Sequence, residues 1–316
     1  MTAEPACRCN PQLARGNLKV LLCVAVVVSG IGAASPLPAA AQTIEPRWKL
    51  EAGTELVYRQ SVQSETELPQ GMGTSTMSME STQRWSVLDV DGDGNATVRL
   101  TTEGARMRVG GPMETMSIGP AENKSAGSPL DAMQALDGTS YTVVLDTRGA
   151  LVRMSGLEEM REALRARIPD PSGHAMLDQM LSEDTLRSQW AQGVHLLPAE
   201  AVGVGSAWDG TFATPFPLFG TITLVTSYRV ESIDGGLVVI GSSGTLSLAD
   251  DTPAASPLPV NFGDMTTVGT SRFDAGRGLL LGSDSTSTFQ MSMAMGGRET
   301  VLDSVTTVSL ELVEGP

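Results

Sequence analysis

The stretch Asp137–Ile168, DGTSYTVVLDTRGALVRMSGLEEMREALRARI, decides how this chain is read. Tyr141 to Leu145 is a β-branched and aromatic run, Asp146-Thr147-Arg148-Gly149 is turn chemistry, and Ala150 to Met154 returns. From Gly156 the period changes. Leu157, Met160, Leu164 and Ile168 recur at spacings of three and four, the apolar stripe of an amphipathic helix. This stripe is expected to face a sheet, with Glu158, Glu162 and Arg165 toward water. Glu158/Arg161 and Glu162/Arg165 are spaced to pair on the helix surface.

Pro169-Asp170-Pro171 ends that helix. A second is expected over Gly173–Leu181. A third opens at Ser182, with Glu183 and Asp184 at its positive end and Leu186 and Trp190 within it. A short helix is also expected after Ser128. On either side of these helices the pattern is antiparallel β, rich in threonine and valine with closely spaced turn signals. Before them, strands are expected over Thr54–Val62, Gln83–Val90 and Ala96–Thr101, with Glu65–Thr76 as a hairpin turn. After them come Thr211-Phe212, Thr221–Ile233, Leu237–Leu248, Met265–Phe273, Gly278–Gly296 and Glu299–Val313. In the last of these, Val301 and Val305 share one parity, while Val308, Leu310 and Leu312 share the other. That switch predicts a bulge near Thr306-Thr307.

The two β halves correspond. Trp85-Ser86-Val87-Leu88-Asp89-Val90-Asp91-Gly92 aligns with Tyr228-Arg229-Val230-Glu231-Ser232-Ile233-Asp234-Gly235. Gly53 and Gly205 precede these strands. Asp146 and Asp274 open similar turns after them. The order of the matches suggests a duplicated β-meander interrupted by the helices. The fold expected is therefore mainly β (α+β): two related antiparallel meanders forming a curved sheet or open barrel around a helical plug. The divisions are a leader at 1–41, a first β half at 42–155, a helical insert at 156–198 and a second β half at 199–316.

The leader has basic residues Arg15 and Lys19, an apolar run Val20–Ala34 and a small-residue site Ala39-Ala40-Ala41. That is the layout of a secretory signal peptide. The run is short of the roughly 20 apolar residues that a membrane span needs. All three cysteines (Cys7, Cys9, Cys23) fall in this leader, so the exported part carries no disulfide and relies on its core. The formal net charge is −15. A chain this acidic is poorly suited to nucleic acid or anionic lipid.

Other features carry a resemblance. The opening Trp48-Lys49-Leu50, the Met-x-Met before Trp85-x-Val87, the Leu-Asp-x-x-Gly hairpin running into Ser155-Gly156-Leu157-Glu158, and Leu197-Pro198 followed by Val204-Gly205-x-x-Trp208 resemble a family of bacterial exported proteins, the domain of unknown function DUF6263. The resemblance implies an envelope or secreted protein. It supplies no catalytic residues.

Candidate chemistry is thin. Asp89-x-Asp91-x-Asp93-Gly94 imitates the start of a calcium loop, but the twelfth position is Leu100 where a bidentate carboxylate is needed, and a polar hairpin turn explains it better. His174 and His195 are the only histidines and have no ligand spacing around them. Gly241-Ser242-Ser243-Gly244 lacks the spacing of a nucleophile elbow. Asn95-Ala96-Thr97 and Asn123-Lys124-Ser125 match a glycosylation pattern too short to assign a role. Methionines stand out. Met77-x-Met79 and Met291-x-Met293-x-Met295 put thioethers on one strand face. Thioethers can hold Cu(I), but adaptable apolar packing is their commoner use.

These features lead to an extracytoplasmic, non-enzymatic protein holding an apolar ligand or lipid between sheet and helices. The lining is expected from Met77, Met79, Met160, Leu164, Trp190, Met291, Met293 and Met295. No cofactor and no metal are expected. The alternatives are an envelope protein–protein module with a filled core, Met-based Cu(I) binding, or an enzyme without recognisable residues.

Overall fold

The structure is a computed structural model, and it describes residues 43–68, 73–111, 116–118, 136–167, 174, 178, 181–216, 220–248, 260–295 and 298–315. The leader, Ile168, the helix expected after Ser128 and the Asn123 sequon lie outside these. So does most of Gly173–Leu181, of which His174 and Asp178 are helical.

Twelve strands form one antiparallel sheet. They are β1 (Glu55–Glu67), β2 (Thr74–Val90), β3 (Ala96–Gly110), β4 (Met116–Ile118), β5 (Ser140–Leu145), β6 (Leu151–Ser155), β7 (Ala207–Phe216), β8 (Gly220–Asp234), β9 (Leu237–Leu248), β10 (Val260–Asp274), β11 (Leu279–Met295) and β12 (Arg298–Glu314). Their order is β6-β5-β3-β2-β1-β12-β11-β10-β9-β8-β7, with β4 beside β3. The first half therefore meanders outward from β1 to one edge, β6. Two helices follow, α1 (Leu157–Arg167) and α2 (Glu183–Val194). The chain resumes at the opposite edge, β7, and meanders back until β12 pairs with β1.

The sheet is curved and unclosed. Trp48 stacks on Trp85 of β2 at 5.7 Å and meets Phe273 of β10 edge-on at 5.8 Å. Strands β2 and β10 stand four steps apart in the sheet, about 19 Å at the usual ~4.8 Å spacing. Only a sheet rolled around Trp48 brings both rings to it. Helix α2 packs against β6 and β7, the two edges. A helix over an edge also covers its unpaired peptide groups.

The halves share their plan down to single hydrogen bonds. Gly53 N donates to Val87 O (2.8 Å) and Val87 N to Thr54 O (2.9 Å); Gly205 N donates to Val230 O (2.8 Å) and Val230 N to Ser206 O (2.9 Å). Both glycines have φ of 85°. The β2–β3 ladder shifts register after Val87, and the β8–β9 ladder shifts after Val230. The turns at Asp146 and Asp274 each close with a glycine amide donating to the aspartate carbonyl. The N-terminal segment ties these two turns together: Trp48 N donates to Thr147 O (2.7 Å) and Lys49 N to Gly278 O (3.1 Å).

Three expectations need correction. Residues 65–67 and 74–76 are not a loose turn; β1 and β2 stay paired out to Glu67↔Thr74, because both flanks keep their strand alternation. No bulge occurs at Thr306-Thr307: both ladders of β12 run in register there. The strand leaves Val301 and Val305 on its outer face, 44% and 45% exposed, and turns small polar residues inward instead. Arg165 pairs with Asp178 at 2.6 Å, a carboxylate that reaches it from beyond the helix, rather than with Glu162.

Leu157, Met160 and Leu164 are buried as their spacing predicts, packed with Leu181 and Leu186 and against Tyr141 and Met154. Glu158 and Arg161 pair on the surface. Ser182 caps α2 by accepting from Thr185 N at 3.1 Å.

Two comparisons test this packing. Leu164→Ala, at a side chain with no exposure, should lower unfolding free energy by ~2–5 kcal/mol in urea titration, while Glu162→Ala should stay within about 0.5 kcal/mol of wild type. Gly53→Ala and Gly149→Ala both carry the left-handed backbone cost of about 1–2 kcal/mol. A methyl on Gly53 meets open space, whereas one on Gly149 would stand 2.9 Å from Trp48 Nε1, so Gly149→Ala should melt distinctly lower.

Candidate functional site

The inner face follows from strand alternation. On β1, Leu56, Tyr58, Gln60, Val62, Ser64 and Thr66 share the parity of the buried residues, while Glu55, Arg59, Glu65 and Glu67 share the other. Register carries this division across the sheet. Gln60 stands opposite Leu310 of β12, which stands opposite Ser283 of β11; Val62 stands opposite Met79 of β2 and Val308 of β12.

The inner face is layered along the strands. At one end it is filled. Trp85 is ringed by Trp48, Tyr58 (5.2 Å) and Trp190 of α2 (5.7 Å). Val98, Leu100, Val143 and Leu145 pack beside this group from β3 and β5. On the other half, Val230, Val238, Ile240 and Phe273 form the matching packing with Leu197. Trp208 of β7 stacks on Tyr228 and donates from its indole to His195 O at 2.7 Å.

Directly above this floor lies a cleft of about 390 Å³, lined by Gln60, Gln83, Tyr141, Trp190, Ser283, Ser285, Val308 and Leu310. Small-molecule pockets commonly measure about 300–1,000 Å³. Its walls come from β5, β2, β1, β12 and β11, with α2 contributing the indole. Tyr141 and Trp190 are joined by a side-chain hydrogen bond. Ser283 shares a 2.9 Å hydrogen bond with Ser271 of β10. Beyond the cleft the wall turns apolar again at Val62, half-buried Met79 and exposed Met77.

Of the lining residues expected from sequence, Trp190 lines the cleft. Met77 and Met79 lie on the same face further along β2, beside Val109 and Met107 of β3. Met160 and Leu164 are taken up in packing between the helices. Met291, Met293 and Met295 fall on β11, with Met291 opposite Leu302 and Met293 opposite Thr300. Gln60, Gln83, Ser283 and Ser285 were not anticipated, because uncharged polar residues in a strand give no distinctive signal. Parity offered one: every charged residue expected in the first strand occupies the same alternate positions.

That asymmetry extends to the other strands. Glu80 and Arg84 on β2, Arg99, Glu103, Arg106 and Arg108 on β3, Arg229 and Glu231 on β8, Arg272 on β10, Asp284 on β11 and Asp303 and Glu311 on β12 all take the outer parity. Among the described residues, no Asp, Glu, Lys or Arg takes the inner parity of a strand along the cleft and its apolar wall; Arg298, the first residue of β12, does share that parity by register, at the far end from the cleft. A larger groove, about 680 Å³, crosses the outer face past Arg229, Glu231, Thr270, Asp284 and Thr286. It lies on the charged outer face, where Arg229, Glu231 and Asp284 mix both signs along it.

Other candidates resolve into turn chemistry. The Asp91 carboxylate accepts from Asp93 N (3.0 Å), Asn95 N (2.9 Å) and Asn95 Nδ2 (2.9 Å). The Asn95 side-chain and backbone bonds hold its pKa below the usual value. Among the described residues, no group of three His, Cys, Asp or Glu is placed to hold a metal ion.

An unclosed β-barrel with its charges kept off the cleft and helices bridging its edges is the class of protein that this geometry defines. The chain belongs to the family of unknown function DUF6263, whose pattern matches residues 93–280. No curated protein matches it. Among solved structures it is similar to Rv2717c from M. tuberculosis (10% identity, covering 81% of this chain and 91% of that one, TM-score 0.17). It is also similar to the COG4313 outer membrane channel from Pseudomonas putida F1 (8%, 83% and 96%, 0.24) and to OpdQ from Pseudomonas aeruginosa (7%, 83% and 98%, 0.21). TM-scores this low carry no argument about fold or function.

The chamber's tyrosines make alkaline stability a probe of its dryness. Burial raises the pKa of Tyr58, Tyr141 and Tyr228. Each stays protonated in the folded chain while the unfolded chain begins to ionise near pH 10, so stability is full below about pH 10 and falls as pH rises further. Tyr58 donates to Leu280 O at 3.0 Å. Tyr58→Phe should cost about 1 kcal/mol at pH 7 and make the decline above about pH 10 shallower, read by urea titration across pH.

Proposed function

We propose that this protein is an exported, non-enzymatic carrier or sensor that holds an apolar or lipid-like molecule between its sheet and its helices. One observation carries the reading: the 390 Å³ cleft under Trp190, continuous with the half-buried wall of Val62 and Met79. A filled core would bring those side chains to the near-zero exposure of Tyr58 or Val98 at the packed end. Methionine suits a wall that must fit flexible chains, since its unbranched thioether adapts to irregular shapes.

The secretory layout of residues 1–41 supports a place outside the cytoplasm. The acidic outer surface supports solubility there rather than adhesion to anionic lipid. Trp190 belongs to the helix that spans the open side, so helix motion would admit and release the ligand.

Protein purified without detergent from its own envelope should show, by native mass spectrometry, a bound apolar or amphiphilic molecule that organic extraction removes. Repeated preparations without such an adduct, and no change in tryptophan emission on adding long-chain lipids, would overturn the reading.

A further inference from the structure

The chamber's chemistry narrows the ligand, granting that the chamber is a ligand site at all. We propose that it selects uncharged amphiphiles, seating a hydrogen-bonding head at Gln60 and Gln83 and an acyl or alkyl chain along Val62 and Met79.

In a chain of 36 acidic and 21 basic residues, random placement would put many charges inside. Among the described residues, none takes the inner parity of a strand along the cleft or the Val62 and Met79 wall, and Arg298, which does share that parity, stands at the first position of β12, far along the strand from Leu310. Arg277 acts on the floor from the turn at the filled end, where its charge partly offsets the burial that raises the Tyr58 pKa. His195 approaches the inner face only at the β7 edge, beside Gly210. A carboxylate, phosphate or ammonium entering the cleft would lose its water and meet no counter-charge.

The cleft supplies uncharged polar groups instead. Gln60 and Gln83 are diagonal neighbours on β1 and β2, since Gln83 stands opposite Tyr58. Each amide offers two N–H donors and a carbonyl acceptor. Neither is given a hydrogen-bond partner among the described residues, and neither is sealed from solvent. Ser285 adds a hydroxyl on the facing wall. This set pairs with hydroxyls, esters or amides, which are neutral and both donate and accept. These polar groups sit next to the aromatic floor, while the apolar wall extends toward the open end. A ligand therefore enters head first, which a neutral head tolerates far better than an ion.

The test uses three probes with one twelve-carbon chain and different heads: monolauroylglycerol, laurate and dodecyltrimethylammonium. Binding to the exported chain is followed at pH 8, below micelle formation, by tryptophan emission. The neutral probe should bind at least ~10-fold more tightly than either ion. Gln60→Lys, checked for folding by circular dichroism, should raise laurate affinity at least ~10-fold and weaken the cation further. Laurate or the cation matching the neutral probe in wild type would overturn the selection for neutral heads while leaving the chamber itself intact. A folded Gln60→Lys variant that leaves laurate binding unchanged would overturn the placing of the head. Failure of all three probes to bind would overturn this inference together with the chamber reading on which it rests.

Discussion

Trp48 is wedged between Trp85 of one meander and Phe273 of the other, and the curvature of the sheet depends on that wedge. Its backbone and that of Lys49 also bridge the turns that end the corresponding strands of each half. A twisted sheet of this width would otherwise splay open. With an indole in its axis and a strap across its turns, it rolls, and rolling creates an inside. The floor of aromatic rings, the cleft above it and the position of Trp190 all follow from that one packed group.

The rolled sheet sets opposite demands on its two faces. Outside, paired charges such as Arg84 with Glu55 and Glu103 lie across neighbouring strands in water, where each contributes little stability but keeps the surface soluble. Inside, an unpaired charge would carry a desolvation cost that a sheet with a half-open core could not offset. Parity enforces the separation, because a one-residue slip of any strand would exchange the faces. Uncharged amides and hydroxyls are the polar groups that such a chamber can carry without a counter-ion.

Much of this was legible in the sequence, and the failures have physical causes. The Asp146 and Asp234 turns, the helix stripe of Leu157, Met160 and Leu164, and the return of the β pattern after Pro198 are local signals, and local signals survive folding. The repeat was visible because Trp85-x-Val87 and Tyr228-x-Val230 each need an inward aromatic beside a buried valine. Strand ends were less legible. Thr74–Thr76 reads as turn by composition, yet pairing with β1 holds it extended. The parity switch at Thr306 was taken for a kink, when it is the inner face changing from apolar to hydroxyl while the strand runs straight. The cleft itself was illegible, since Gln60 and Gln83 come near Ser283 only through the pairing of β1 with β12, from opposite ends of the chain.

The repeat also explains why the barrel stays open. Strands β1, β2, β3, β5 and β6 correspond in order to β7, β8, β9, β10 and β11, as the matching hydrogen bonds at Gly53 and Gly205 and the matching turns at Asp146 and Asp274 show. The second meander then adds β12, which reaches across to pair with β1 and joins the halves. The first meander has no such strand. Its counterpart would leave β6 and pair with β7, and that single addition would close the ring. At this point the chain instead turns at Gly156, φ 82°, and runs into α1. A helix cannot continue the ladder, so the edges of β6 and β7 remain apart and α2 lies against both. A strand between β6 and β7 would have closed the ring by backbone hydrogen bonds. The helices hold the same gap by side-chain packing, which can part and re-form without breaking a ladder.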